Sequence, residues 1–263
     1  MHRITSNAET QIDQQSELSL KDSVLRLNWR EHRISRAEIS RQLELSRSTV
    51  TEIIKELLPT GLVAEVGNGE SSGGRKPILL EFQDDAKVIL GIDIGATHVS
   101  VAMTNLRGKL LIWKEKEYPV REDPEGTYKL IDELCNECLS FLKYDSEMLL
   151  SIGVSVPSPV DPIHPEYLSE TIIPAWHGKS GLERLREKYG VPVYLDNDAN
   201  LGALAEHWWG AGKNVNDLIY IKISNGIGAG YILGGKLYRG SKGIAGEMSY
   251  MPIDPNGRLC GCG

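Results

Sequence analysis

Cysteine is scarce in this chain. There are four among 263 residues, in two close pairs, Cys135/Cys138 and Cys260/Cys262. That number and spacing exclude a disulfide framework and point to a reducing, cytoplasmic compartment. No apolar run approaches the roughly 18 residues that a membrane-spanning helix requires. The opening segment, Met1–Leu20, is polar and mixed in charge, unlike a secretory signal. A net positive charge is missing as well, with 29 Lys and Arg against 36 Asp and Glu, a balance of −7. This argues against nucleic-acid binding until the charge is divided by region. Residues 1–82 carry 11 cationic and 12 acidic side chains, whereas the remaining 181 residues carry 18 and 24. Arg26, Arg30, Arg33, Arg36, Arg41 and Arg47 make the first region locally rich in arginine, and local charge governs phosphate contact more than the sum does.

The length suits two domains, and 41% apolar with 25% charged residues is an ordinary globular composition. Residues 1–19 read as a flexible lead-in. From Leu20 to Trp29, apolar residues recur at helical spacing. A second short helix is expected over Arg36–Leu43, with Ser35 as N-cap and Glu38 completing a capping box. A third is expected over Arg47–Leu58, where Val50, Ile53, Ile54, Leu57 and Leu58 form an apolar stripe, stopped by Pro59 and Gly61. Two short helices joined by the turn Glu44-Leu45-Ser46 have the layout of a helix-turn-helix, whose second helix enters the major groove. Arg36, Ser46, Arg47, Ser48, Thr49 and Thr51 are the candidate DNA contacts. Strands at Leu62–Val66 and Pro77–Phe82 flank the glycine-rich stretch 67–74 and read as a wing, with Arg75 and Lys76 placed to meet phosphates or the minor groove. The other reading is a three-helix interaction module with a solvated basic face.

Gln83-Asp84-Asp85 is a polar junction, which divides the chain into a winged helix-turn-helix at 20–82 and an α/β domain at 83–263. Val88–Ile94 reads as a buried strand ending in Asp93-Ile94-Gly95-Ala96-Thr97, with a return strand at His98–Thr104. Gly95 and Thr97 allow close approach of an anion, and the Asp93 carboxylate could hold magnesium; the same pattern also occurs for turn reasons alone. Leu130–Phe141 reads as a helix, on which Cys135 and Cys138 fit small core positions better than metal ligation. Leu149–Val156 reads as a strand, Gly178–Tyr189 as a helix and Val191–Leu195 as a strand. The last leads into Asp196-Asn197-Asp198 and a helix at Leu201–Trp208. Carboxylate and amide at such a corner suit a polyol, whose hydroxyls need donors and acceptors, and Asp198 could accept a substrate proton as a general base. Equally, these residues could simply cap the helix. Leu218–Ile223 is a further strand, followed by a second glycine loop at Ser224–Gly230.

Taken in order, these motifs resemble the ROK family (repressors, open reading frames and kinases) over about residues 20–263. The resemblance implies an actin- or hexokinase-like fold of two α/β lobes, preceded in the repressor branch by a winged helix-turn-helix. It implies that Asp93, Gly95 and Thr97 form the first phosphate loop and Gly226, Gly228 and Gly230 the second. Asn197, Asp198 and Glu247 of Ala245-Gly246-Glu247 would then bind sugar, with Asp198 the base in kinase members. Cys260 and Cys262 match the first two cysteines of a zinc motif. Several positions depart from the kinase pattern. Gly95-Ala96-Thr97 stands for Gly-Gly-Thr, Asn225 for Thr, and Gly153-Val154-Ser155-Val156-Pro157-Ser158-Pro159 for Gly-x-Gly-x-Pro-Gly-Pro. Tyr250 replaces a histidine that contacts sugar and zinc; tyrosine is a poor zinc ligand but can still bond or stack on a sugar. The chain stops inside the zinc motif, so the second lobe and the zinc site are expected to be incomplete and some apolar surface uncovered. The expected function is a repressor of carbohydrate genes, with operator DNA and a sugar effector as partners, no membrane, and a homodimer reading two half-sites. The alternative is an ATP- and magnesium-dependent sugar kinase.

Overall fold

The computed structural model describes residues 19–68, 76–141, 146–169, 173–251, 254 and 257. The chain forms two compact units, Met1–Ala86 and Lys87–Gly263.

In the first unit, α1 (Leu20–Glu31), β1 (Arg33–Ser35), α2 (Arg36–Gln42), α3 (Arg47–Leu57), β2 (Val63–Asn68) and β3 (Ile78–Phe82) follow one another. Each helix start is fixed by a serine: Ser19 and Ser35 form full capping boxes with Asp22 and Glu38, and Ser46 caps α3 through the Thr49 amide. After α3, a 3-10 turn at Leu58–Thr60 ends on Gly61 at φ 73°, a left-handed residue that glycine adopts without penalty. The strands pair antiparallel in the order β1-β3-β2. The apolar faces of the three helices meet Ile34, Val63 and Leu80 in one core. Buried Asn28 on α1 donates to the Leu80 carbonyl at 3.2 Å and ties helix to sheet. The sequence reading missed β1, whose three residues are too short to show a period.

In the second unit, β4 (Val88–Ile94), β5 (His98–Asn105) and β6 (Leu110–Glu117) form an antiparallel meander. Helix α4 (Pro124–Phe141) then crosses to β7 (Leu149–Val156), and α5 (Leu182–Tyr189) leads to β8 (Val193–Asn197). Strands β4, β7 and β8 run parallel, giving the order β6-β5-β4-β7-β8. Helix α6 (Asp198–Trp208) follows without a gap, and β9 (Leu218–Ile223), β10 (Ile227–Leu233) and β11 (Lys236–Tyr238) make a second, antiparallel sheet. Leu130, Ile131, Leu134, Cys135 and Cys138 of α4 are buried in the core with Val99, Val101 and Met103 of β5. Burial pushes the Cys135 thiol up to about 12. Strand β9 alternates: Ile219, Ile221 and Ile223 are exposed, while Leu218, Tyr220 and Lys222 are half-buried. These layers, with the strand order above, are those of the α/β class expected from sequence for this part of the chain.

Several boundaries differ from the sequence reading. Helix α4 starts at Pro124, six residues early, because Asp123 caps it through the Gly126 amide at 2.8 Å and proline is pre-set for the first helical turn. Helix α5 starts only at Leu182, after Gly181 at φ 68°, and β8 runs on to Asn197. The charged edge strand β6 and the hairpin strands β10 and β11 were not anticipated. Among the described residues no helix is long and apolar enough to cross a membrane.

Leu80 is fully buried at the centre of the first unit. Leu80→Ala is expected to destabilise that unit by about 2–5 kcal/mol, read as a lower urea midpoint of its helical circular-dichroism signal.

Candidate functional site

In the second unit, the carboxyl ends of three parallel strands define a crevice, the position where open α/β sheets bind ligands. Asp93, Ser155 and Asp196 are register partners across β4, β7 and β8. The turns that follow these strands, together with the Ser224–Gly228 turn and the segment at Glu247, enclose a cleft of about 450 Å³.

Gly95 and Thr97 line the cleft. Gly95 is locked into the hairpin tip, its amide bonded to the His98 carbonyl at 2.9 Å. The His98 ring lies directly over it; an added Cβ would meet that ring at 2.2 Å. Asp93 does not line the cleft. Its Oδ1 accepts the Ser155 hydroxyl at 2.6 Å and its Oδ2 contacts His98 Nε2 at 3.2 Å. Asp93 is thus held behind the cleft wall by one contact on each oxygen, and no step through magnesium follows from this geometry.

At the β8–α6 corner, the capping reading applies to Asn197, while Asp198 faces the cleft. Asn197 is the N-cap, accepting from the amides of Ala199 and Asn200 at 2.9 and 3.2 Å, and it also reaches the Ser158 carbonyl at 3.2 Å. Asp196 is buried and bonded to Arg239 at 2.8 Å and Asn200 at 2.9 Å. Asp198 lines the cleft, where its Oδ2 accepts from Lys222 at 2.6 Å and its Oδ1 from the Ala199 amide at 2.7 Å. Glu247 and Tyr250 complete this wall. Burial, and then the Asp198 charge, hold the Glu247 carboxyl above its ordinary 4.5. The backbone before Glu247 is docked on β10, with the Ala229 amide bonded to the Gly246 carbonyl at 2.9 Å.

The second glycine stretch is only partly a loop. Gly226 lies in the turn and faces open space, and Gly228 lines the cleft from the start of β10. Gly230 is a correction: it sits inside β10 and off the cleft, where an added Cβ would be 2.4 Å from the Ala199 carbonyl oxygen. It serves close strand–helix packing. Sequence reasoning also missed Lys222, Arg121, His98 and Arg239. For Lys222 a signal existed, since it is the lone charge in an otherwise apolar strand.

In the first unit, Ser46 caps α3, and its hydroxyl lies 2.8 Å from that of Ser48 and 2.7 Å from that of Thr49. Arg47 and Ser48 are exposed on the first turn. Thr51 bonds back to the Arg47 carbonyl at 2.8 Å. Arg36 is paired with Glu65 of β2 at 2.5 Å, so its guanidinium is engaged within the unit. Lys76 is exposed, and Arg75 lies outside the described residues, as do Cys260 and Cys262. Among the described residues no three His, Cys, Asp or Glu side chains are grouped to hold a metal.

The family model for ROK matches residues 89–263. The chain belongs to the ROK family. It is 36% identical over 230 residues to the xylose repressor of Bacillus subtilis, covering 88% of this chain and 59% of that protein. Among solved structures it is similar to a ROK family transcriptional regulator, described as a homolog of the E. coli MLC protein, at 26% identity and TM-score 0.77, covering 93% of this chain and 62% of that one. It is also similar to a ROK family glucokinase from Streptomyces griseus in complex with glucose and AMPPNP, at 29% identity and TM-score 0.58, covering 67% and 54%. The chain thus spans about three fifths of the length of the curated relatives it matches.

Two outcomes are expected. Gly230→Ala is expected to cost about 1–3 kcal/mol through overpacking, whereas Gly226→Ala, in open space, changes stability by less than about 0.5 kcal/mol in urea unfolding. Because folding raises the Glu247 pKa, its ionised form opposes folding once pH rises through the ordinary value and on through the folded one. Glu247→Gln is therefore expected to melt above wild type at pH 8, with the difference vanishing as pH falls below 4.5.

Proposed function

We propose that this ROK chain is a DNA-binding transcriptional regulator of carbohydrate-metabolism genes, acting mainly as a repressor, whose DNA affinity is changed by a sugar in the second-unit cleft. The observation that carries this reading is the convergence of Asn197, Asp198, Glu247 and Tyr250 on one cleft. These groups supply the mixture of acceptors and donors that hydroxyls require. The first unit is read as a winged helix-turn-helix. Its helix α3 offers Arg47 and Ser48 to base edges and phosphates, and Lys76, exposed just before β3, is a further candidate contact. The repressor names among its relatives support the same reading. Coupling requires that the sugar bind the DNA-competent and DNA-incompetent states with different affinity.

A homodimer on a two-fold operator, at work in the cytoplasm, belongs to this proposal. Zinc enters this proposal only through Cys260 and Cys262, two candidate thiolates of the four ligands a structural site needs. Sugar phosphorylation is the second reading, favoured by Asp198 at the cleft wall. Against it stand the place of Asp93 off the cleft and the Lys222 ion pair on Asp198.

The deciding measurement is fluorescence anisotropy of the chain on DNA from upstream of its own gene, at two salt concentrations, with and without pentoses, hexoses and amino sugars. Specific binding weakened by one sugar is expected. Binding no better than on random DNA would sink the regulator reading. Arg47→Ala is expected to weaken specific binding about tenfold or more, by roughly 1–3 kcal/mol. A coupled assay with ATP and the same sugars is expected to give no turnover; turnover abolished by Asp198→Asn would instead establish the kinase.

A further inference from the structure

Lys222 is placed with unusual economy. On β9 its register partner is Gly228, which contributes no side chain, so the lysine stem can pass along the inner face of the sheet toward the first turn of α6. There its ammonium meets Asp198 Oδ2 at 2.6 Å, with the lysine 28% and the aspartate 15% exposed at the side chain. Both residues line the cleft. The neighbours Ile221 and Ile223 point the other way and are exposed, so the strand turns its single charge inward.

An ammonium carries three donors and no acceptor, and a carboxylate has about four acceptor sites and no donor. One donor and one acceptor site are spent on the ion pair, and the Ala199 amide takes another site on Oδ1. Two donors on Lys222 and acceptor capacity on Asp198 remain, side by side. A single hydroxyl both donates and accepts, so it can bridge the two: its hydrogen is donated to Asp198, and its oxygen accepts from Lys222. The hydroxyl keeps its proton, and the interaction is binding rather than base catalysis.

We propose that Lys222 is a specificity-determining residue that, paired with Asp198, reads one hydroxyl of the sugar bound in the cleft. This rests on the sugar-binding reading above and adds to it a residue and a recognition mode. It also gives Asp198 a task that needs no phosphoryl donor: it orients a hydroxyl instead of deprotonating it. A purely structural ion pair would hold α6 against β9 and leave ligand selectivity untouched, and the two roles differ in what a missing hydroxyl does.

The test is isothermal titration calorimetry of the full chain with D-xylose, D-glucose and N-acetyl-D-glucosamine. It is followed by each monodeoxy analogue of the sugar that binds, on wild type, Lys222→Met, Lys222→Arg and Asp198→Asn. Lys222→Met is expected to bind the parent sugar at least tenfold more weakly. One deoxy analogue should show a loss on wild type of at least that size and a clearly smaller loss on Lys222→Met, because the variant has already removed one of the two hydrogen bonds that the missing hydroxyl makes. Lys222→Arg should recover part of the affinity, since it keeps the cation. The inference is overturned if Lys222→Met binds within twofold of wild type, or if its loss is equal for every analogue. Should Lys222→Met not fold, the analogue series on wild type and on Lys222→Arg decides: no analogue losing tenfold on wild type, or equal losses on both proteins for every analogue, overturns it. Wild type binding none of the three sugars would fell the sugar-effector reading itself, a result distinct from selective failure of the variants.

Discussion

At Gly230 the backbone of β10 runs so close to α6 that a single added carbon would lie 2.4 Å from the Ala199 carbonyl oxygen and 2.6 Å from the Ala203 Cβ. That approach fixes where the second sheet sits against the helix, and the rest of the cleft inherits its geometry. With Gly228 paired opposite Lys222 in the β9–β10 register, it brings the lysine within reach of Asp198 and positions Ala229 to hold Gly246 and hence Glu247. Small residues on both elements, Ala199 and Ala203 on α6 with Gly228 and Gly230 on β10, make the approach possible, because close-packed interiors leave no room for even one extra methyl group.

Charge in the cleft and just behind it is arranged by pairing. Asp93 is satisfied by Ser155 and His98, Asp196 by Arg239 and Asn200, and Asp198 by Lys222 and a backbone amide. Glu247 differs: burial and its acidic neighbour raise its pKa. Fixed partners for Asp198 in the wall, and for Asp93 and Asp196 behind it, leave the wall pre-oriented, so a ligand that matches it meets less of the ordering cost that binding otherwise carries.

Much of this was legible in the sequence where local chemistry decides structure. Ser35 with Glu38 announced α2, Pro59 and Gly61 ended α3, and the apolar run of Val88–Ile94 gave β4 its limits. The turn residues Asp196-Asn197-Asp198 pointed to the cleft, because a strand handing over directly to a helix leaves amides and carboxylates at one spot. What stayed hidden depends on contacts distant in sequence. Lys222 reaches Asp198 across 24 positions and Arg239 reaches Asp196 across 43, and neither spacing leaves a mark on a local pattern. Gly230 was misplaced for a related reason: glycine reads as a loop until its neighbour is known to be a helix backbone. The alternation of β9 was visible, but which side faced inward was not, since isoleucines occupy the outer face.

The paired thiols of α4 have a practical corollary. Cys135 and Cys138 are fully buried, and burial holds Cys135 so far from ionising that almost no thiolate exists at neutral pH. Alkylation needs the thiolate and access to it, so these sulfurs can be labelled only during moments when the helix lifts from the sheet. The rate at which iodoacetamide marks the peptide around them is therefore a clock for that opening, native to the protein and requiring no engineered probe. Read with and without a bound sugar, it reports how firmly the domain is held shut from the inside, at a place far along the chain from Asp198.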